Sequence, residues 1–312
     1  MPRVSVIIPT HNRARFLAES IQSVLAQTFD NLETIVVDDG STDNTREVVG
    51  NFLGPRVKYV YQENQGASAA RNAGILIATG DFIALLDSDD VWLGDKLALQ
   101  VDLLDSHPKA GLVYSDAYLF DDQSGAILGR FLEGKGVFSG KVLRQLLSTQ
   151  FIKTSTVVIR RNVFDVTGYF DESMMRVHDR DMWLRIAYHF DIQGISIPLA
   201  RIRVHSSGIS QNWEGVWTGR AMVMNKAQRD FTLSRDERRI LKTNLSRVYY
   251  QHGRYLVLNG KLIEGRAKLL DCLRLRPISI RAYLYVIVSL LGRRFIVKAA
   301  FYVKKLKAIA AT

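Results

Sequence analysis

Phe82-Ile83-Ala84-Leu85-Leu86-Asp87-Ser88-Asp89-Asp90 decides how the rest of the chain is understood. Five apolar residues, introduced by Thr79-Gly80-Asp81, have the length and composition of a strand buried on both faces, as in a parallel sheet. The run ends abruptly in carboxylates. Negative charge gathered beside a strand end costs free energy unless a cation or donor groups compensate it. Hard divalent cations take oxygen ligands, and Mg2+ often bridges one or two carboxylates to substrate phosphates. An acidic loop that caps the next helix is the plainer alternative.

Working outward, residues 4–8 (VSVII) predict a first strand that stops at Pro9-Thr10, and Phe16, Leu17, Ile21, Val24 and Leu25 place a helix over 14–27. A second strand over 32–37 ends in Asp38-Asp39-Gly40-Ser41-Thr42-Asp43. That is turn chemistry, with Ser41 or Asp43 able to cap a helix near Thr45. A third strand over 57–61 precedes Asn64-Gln65-Gly66, and a helix over 67–78 leads into the Phe82 strand. Strands and helices alternating at this spacing imply a doubly wound, mostly parallel α/β sheet, in which ligands sit beyond the carboxyl ends of the strands. Three of those ends are polar here: Pro9-Thr10-His11-Asn12-Arg13, Asp38-Asp39 and Asp87-Ser88-Asp89. Neither G-x-G-x-x-G nor G-x-x-x-x-G-K-[ST] occurs, so a dinucleotide enzyme or a P-loop NTPase is not indicated. Arg13, Arg71 and a divalent metal at Asp89 are the candidates for holding phosphates.

The composition, 47% hydrophobic and 23% charged over 312 residues, is that of a globular chain with room for one large domain and an appendage. The single Cys272 excludes an internal disulfide and a cysteine metal site, and suggests a reducing, cytoplasmic compartment. Residues 1–10 lack a secretory pattern, and no apolar run reaches about 18 residues, so no transmembrane helix is expected. The net charge of +11 is unevenly placed: from Cys272 onward there are nine basic residues and no acidic one. The basic balance belongs to the tail, and nucleic-acid binding by the body is not indicated.

Beyond the acidic loop, the pattern predicts a helix over 92–104, a strand over 112–114, and an irregular Gly-rich loop over 121–135 covering a site. Further strands are expected over 157–159, 192–197 and 202–204. Between them, residues 177–187 open a helix whose apolar stripe is Met182, Trp183, Ile186, Ala187 and Phe190. Asp179 falls in the middle of that stripe, which suits a positioned general base, with N-capping as the structural alternative. Asp181 falls on the other side, four residues before Arg185, as an exposed ion pair. His205, after a short apolar stretch, is either structural or an added ligand for the acidic site.

These motifs, in this order, resemble family 2 of the inverting glycosyltransferases. The resemblance rests on residues 4–13 (VSVIIPTHNR), 36–43 (VVDDGSTD) and 64–72 (NQGASAARN), on Asp87-Ser88-Asp89 as D-x-D, and on Asp179 followed by Trp183-Leu184-Arg185. It covers about residues 1–210 and implies the GT-A fold. One departure is His178, where the family often has Glu before the base Asp. The resemblance implies that Thr10, Arg13, Asp39 and Arg71 hold the nucleotide, Asp39 through the base, with Pro9, Asn12, Asn64, Gly66 and Ser88 from the same motifs. Asp87 would lie near the ribose or the metal, Asp89 would bind Mn2+ or Mg2+, His205 would complete the metal shell, and Asp179 would deprotonate the acceptor. The implied activity moves a sugar from a nucleoside-diphosphate donor, UDP-linked, to a glycan or lipid-linked acceptor in cell-surface polysaccharide synthesis. The alternative is a catalytically silent nucleotide-sugar-binding scaffold.

The catalytic domain is expected over 1–217 and a helical, basic region over 218–312, with helices over 225–259 and 261–275. The apolar stretch 282–291, with the basic residues that follow to 307, suits an anionic membrane surface and a peripheral location on its cytoplasmic face. An ordinary helix with a solvated basic face is the alternative.

Overall fold

The computed structural model describes residues 1–205 and 213–290. The chain divides into two compact units, Met1–Gln211 and Asn212–Thr312; the sequence expectation puts this boundary at 217/218. The first unit opens with β1 (Val4–Thr10), α1 (Ala14–Leu25), β2 (Leu32–Asp39), α2 (Thr45–Gly50), β3 (Val57–Gln62), α3 (Ala67–Ile77) and β4 (Phe82–Leu85). It continues with β5 (Val91–Trp92), α4 (Lys96–Ser106), β6 (Ala110–Asp121), β7 (Ile127–Arg130), α5 (Leu143–Ser148), a 3-10 turn (Thr154–Thr156), β8 (Val157–Arg160), α6 (Val163–Thr167), α7 (His178–His189) and β9 (Asp191–Val204).

One sheet of nine strands runs β3-β2-β1-β4-β8-β6-β9-β5, with β7 paired to β6. The first four are mutually parallel, as are β6 and β9. Every residue of β1, β2 and β4 is buried, which is why these strands are continuous apolar runs rather than alternating ones. Helix α3 packs on β1 and β2 at close range: a Cβ on Gly74 would come within 2.5 Å of Ile7 Cγ2. Strand order reverses at β1, which pairs with β2 on one side and β4 on the other. Pairing with β4 stops at Ile7↔Leu85, while pairing with β2 continues to Thr10↔Asp38. The sheet therefore opens between β1 and β4, and Pro9, with no N–H to offer, lies where that second neighbour is gone. Such a switch point is where open α/β sheets bind ligands.

Four expectations are corrected by tertiary contacts. Trp92 is not helical: it lies in β5, pairs antiparallel with β9, and donates Nε1–H to the Ser155 carbonyl at 2.7 Å, so the helix starts only at Lys96. The stretch 121–135 is not an irregular loop, because β6 and β7 form a hairpin there. The hairpin is locked by the buried Asp116, whose carboxylate accepts from Arg130 Nε at 2.7 Å and Leu132 N at 2.9 Å. Residues 192–197 and 202–204 belong to the single strand β9, whose register against β6 shifts around Pro198, a bulge that absorbs the missing N–H. Asp181 is buried, not exposed: Arg185 reaches it at 2.8 Å while also donating to the Thr167 carbonyl, which draws the pair under the end of α6.

The second unit contains α8 (Trp213–Asp230), α9 (Arg235–Leu258), α10 (Leu262–Leu275) and α11 (Ile280–Leu290). The single helix expected over 225–259 is interrupted by a capping box, in which the Ser234 hydroxyl accepts from Glu237 N and Glu237 accepts from Ser234 N. Val257, Leu269, Cys272, Leu273 and Ala282 form the core. Helix α11 leaves Ile280, Leu284, Ile287 and Leu290 more than half exposed (74, 55, 53 and 63%), a stripe at helical spacing. Among the described residues no helix is long and apolar enough to cross a membrane. The basic residues from 293 to 307, and Leu291, lie outside the described residues.

Candidate active site

The crevice is walled first by two loops sewn together. Asn12 has a left-handed backbone (φ 53°), which its short polar side chain tolerates. Its Oδ1 accepts from Thr42 N at 2.8 Å and Asp43 N at 3.3 Å, and its own N–H donates to Ser41 Oγ. Of the two proposed caps, Asp43 is the one that reaches α2, accepting from Thr45 N at 3.1 Å; its other oxygen accepts from Ala14 N and caps α1. Thr10 is buried, and its hydroxyl has no hydrogen-bond partner among the described residues. Asp38 is occupied by Tyr59 and Ser41 N. Asp39, also buried, accepts from Gln62 Nε2 at 2.7 Å, Gln65 N at 2.9 Å and Gly66 N at 2.8 Å. A carboxylate has about four acceptor sites, so one is left for an incoming donor. Gly40 (φ 77°) lets this loop pass Asn64, whose N would lie 2.8 Å from a Cβ there. Asn64 itself is exposed and touches the His11 ring. Gly66 starts α3.

The acidic loop forms the opposite wall. Ser155 Oγ accepts from Asp87 N and donates to Asp90 Oδ2, while the Ser20 hydroxyl lies within 3.0 Å of the carbonyls of Ser88 and Asp90. The Ser88 side chain is buried in this clamp. Asp90 is buried against Arg203 N, and burial, then the Asp89 and Asp87 charges, push its carboxyl well above the ordinary range. Asp89 faces His205 and Arg13: its Oδ2 is 3.1 Å from His205 Nε2 and 3.8 Å from Arg13 Nε. Asp87 turns the other way and is held by Arg71 NH2 at 2.5 Å.

Arg71 is the link to the second motif. It is buried, and its NH1 donates to His178 Nε2 at 2.6 Å, beneath the Phe170 ring. The first turn of α7 is thereby tied to the carboxyl edge of the sheet. The helix begins at His178 with Val177 as N-cap residue, and among the described residues no side-chain cap hydrogen bond forms there. Asp179 is thus not the cap; it is half-buried and accepts from Gln150 Nε2 at 3.3 Å. Val177 itself has φ 61°, a left-handed conformation that costs a β-branched residue about 1–3 kcal/mol. Strain of this kind clusters at functional sites.

Burial, and then the Arg71 charge, push His178 down to about 4, against the pull of Asp179 and Asp87. The folded protein keeps this imidazole neutral, as an acceptor for Arg71. Below its ordinary value of 6.5 the unfolded chain binds a proton that the folded chain refuses until about 4, so stability is complete above that window and falls as pH drops through it. Replacing His178 by Gln, which also accepts a hydrogen bond, is expected to reduce the loss of unfolding free energy between neutral pH and about pH 4.5 by on the order of 2–3 kcal/mol. Urea melts at the two pH values measure it, and identical slopes for both proteins would refute it.

Among the described residues, no group of three His, Cys, Asp or Glu side chains gathers in a metal-holding cluster. Of the expected set Asp87, Asp89 and His205, the structure brings together Asp89 and His205 and engages Asp87 with Arg71. The pair still fits a divalent cation: two ligands at right angles, each about 2.1 Å from an octahedral ion, lie about 3 Å apart. Gln62, Gln150 and Ser155 were not anticipated. Gln62 closes a parallel strand, and the rule that picked out the other strand ends applies to it equally; Gln150 and Ser155 lie in a stretch with no local signal.

Residues 5–168 match glycosyl transferase family 2. An uncharacterised glycosyltransferase of Rickettsia conorii is 35% identical over 205 residues, 65% of this chain but 33% of that protein. The chain thus spans about a third of the length of the first curated relatives it matches. The UDP-Glc:alpha-D-GlcNAc-diphosphoundecaprenol beta-1,3-glucosyltransferase of Escherichia coli is 33% identical over 212 residues, covering 67% of this chain and 80% of the relative. Among solved structures, Staphylococcus aureus TarS 1-349 in complex with UDP-GlcNAc superposes with a TM-score of 0.67 at 18% identity, over 93% of this chain and 89% of that one. The mannosyltransferase PcManGT of Pyrobaculum calidifontis, in complex with GDP-Man and Mn2+, gives 0.63 at 21% identity, over 96% and 86%. These two likenesses show the fold, a GT-A arrangement.

Proposed function

The chain belongs to glycosyl transferase family 2, and on that premise we propose that it moves a sugar from a UDP-linked donor to a glycan or lipid-linked glycan acceptor in cell-surface polysaccharide synthesis. One observation carries the reading: Arg71 joins Asp87 to His178, so the turn bearing Asp179 belongs to the same edge as the Asp89, His205 and Arg13 group. The remaining acceptor site of Asp39 suits an N–H of a pyrimidine base. Arg13 and Arg71 supply positive charge toward the donor diphosphate, with Pro9, Thr10, Asn12, Asn64, Gly66 and Ser88 shaping the crevice around it. Asp89 and His205 would hold Mn2+ or Mg2+, which supplies charge neutralisation for the departing nucleoside diphosphate.

Asp179 takes the proton from the acceptor hydroxyl as its oxygen bonds to the anomeric carbon, while the bond from that carbon to the phosphate oxygen breaks on the opposite face. A single displacement of this kind inverts the anomeric configuration. His178 does not argue for a silent scaffold: it keeps the contact to Arg71 that a carboxylate would make and removes only a charge. The test is UDP release from a panel of UDP-sugars, with and without Mn2+. Binding of UDP without turnover of any of them, given suitable acceptors, would favour the scaffold. The exposed stripe of α11, which the basic tail follows in the sequence, supports an anionic membrane surface as a further partner; failure to co-sediment with anionic-lipid vesicles would remove it.

A further inference from the structure

Two lysines converge on one aromatic ring. Lys135 Nζ lies 3.5 Å from the centroid of Phe131 and Lys153 Nζ 5.2 Å from it. Both side chains are half-buried, and among the described residues neither ammonium makes a hydrogen bond or ion pair to a carboxylate. The acid whose charge acts on Lys135, Asp116, is already held by Arg130 and by the N–H groups of Ala117 and Leu132. Burial, and then the Lys153 charge, lower Lys135 from its ordinary value. Two like charges held together cost free energy, and a ring face offsets only part of it.

Their place in the fold says what would offset the rest. Lys153 lies on the segment from Gln150 to Ser155, whose first residue bonds Asp179 and whose last bonds Asp87 N and Asp90. Lys135 is set by the turn after the β7 hairpin, where its N–H donates to the Leu132 carbonyl, and Phe131 is anchored to β6 through the Ala117 carbonyl. Lys153 thus lies on the stretch between the contact to Asp179 and the contacts to the acidic loop, and Lys135 meets it on the Phe131 ring. We propose that Lys135 and Lys153 form a subsite for a phosphate ester. The proposal rests on the transferase reading, and the phosphate has two sources: an acceptor's own phosphate or the donor diphosphate. Lysine ammonium groups are the ordinary point-charge ligands for such groups.

The test uses the full chain and the Lys135→Gln/Lys153→Gln double variant, which removes both charges from partly exposed positions, with Lys135→Arg/Lys153→Arg as the charge-retaining control. Calorimetry measures UDP binding, and then inorganic pyrophosphate binding to the UDP-saturated protein, where the donor position is filled. Loss of pyrophosphate affinity by at least about tenfold, with UDP affinity kept within about twofold and rescue by the Arg pair, supports the subsite on the acceptor side. A fall in UDP affinity by about tenfold instead supports it and assigns it to the donor diphosphate. Unchanged affinity for both probes overturns the proposal. So does wild-type protein that, once saturated with UDP, ignores pyrophosphate while the variant keeps its UDP affinity. Lys153→Gln alone, read the same way, covers a double variant that fails to fold. Failure of the transferase reading shows separately, as absence of UDP-sugar turnover by the wild-type chain.

Discussion

Asp179→Asn is expected to lower the turnover number for sugar transfer by about 10²–10⁴-fold, the span that a positioned general base contributes. The substitution keeps the shape of the side chain, and an amide oxygen can still accept from Gln150 Nε2, which now approaches Asp179 Oδ2 at 3.3 Å. What it removes is the ability to take up a proton. Donor binding should therefore survive, because Asp39, Arg13 and Arg71 are untouched. Transfer to the acceptor and slow hydrolysis of the donor by water should fall together, since both need a hydroxyl deprotonated on the same face. Stopped assays with a UDP-sugar, paired with calorimetry for UDP, separate the two quantities. Equal turnover in the two proteins would take Asp179 out of the chemistry, and the strained Val177 turn that presents it would need another explanation.

The parts of this molecule that could be seen in its sequence are those whose physics is local. Strands β1, β2 and β4 are buried on both faces, so burial alone writes them as apolar runs, and their polar ends mark the edge where no further packing is available. Asp179 stood out because a carboxylate broke an otherwise apolar helical stripe. What stayed hidden is what depends on contacts between distant segments. Trp92 fits a helical period but is drawn into a strand by the Ser155 carbonyl, 63 residues away. Asp181 is four residues from Arg185 on any helix, yet whether such a pair is wet or buried depends on the end of α6. The engagement of Asp87 by Arg71, while Asp89 meets His205, follows from the approach of α3 to the acidic loop. The Lys135 and Lys153 pair likewise needs the β7 hairpin and the segment before β8 to meet on Phe131.

The acidic loop is also where removing one atom's charge should be felt most after the base. Its three carboxylates are compensated in three different ways. Asp87 has the Arg71 guanidinium at 2.5 Å, and Asp90 is buried, hydrogen-bonded and pushed toward its neutral form. Among the described residues the Asp89 carboxylate has His205 at 3.1 Å and Arg13 at 3.8 Å, and it is partly exposed. A carboxylate left this lightly compensated, beside a second nitrogen donor, is suited to a divalent cation shared with a diphosphate. Asp89→Asn keeps the volume and gives up the charge. Turnover with Mn2+ is expected to fall by about 10²–10³-fold, and UDP affinity in Mn2+ by about tenfold or more, because the charge of the leaving diphosphate is no longer balanced. The sharper signature is the response to metal. In the wild-type chain a chelator should weaken UDP binding; in Asp89→Asn the affinities with and without it should converge. Were the wild-type affinity indifferent to the chelator, and Asp89→Asn equal to it in turnover, the pair with His205 would be an ordinary hydrogen bond, and stabilising the departing diphosphate would fall to Arg13 and Arg71.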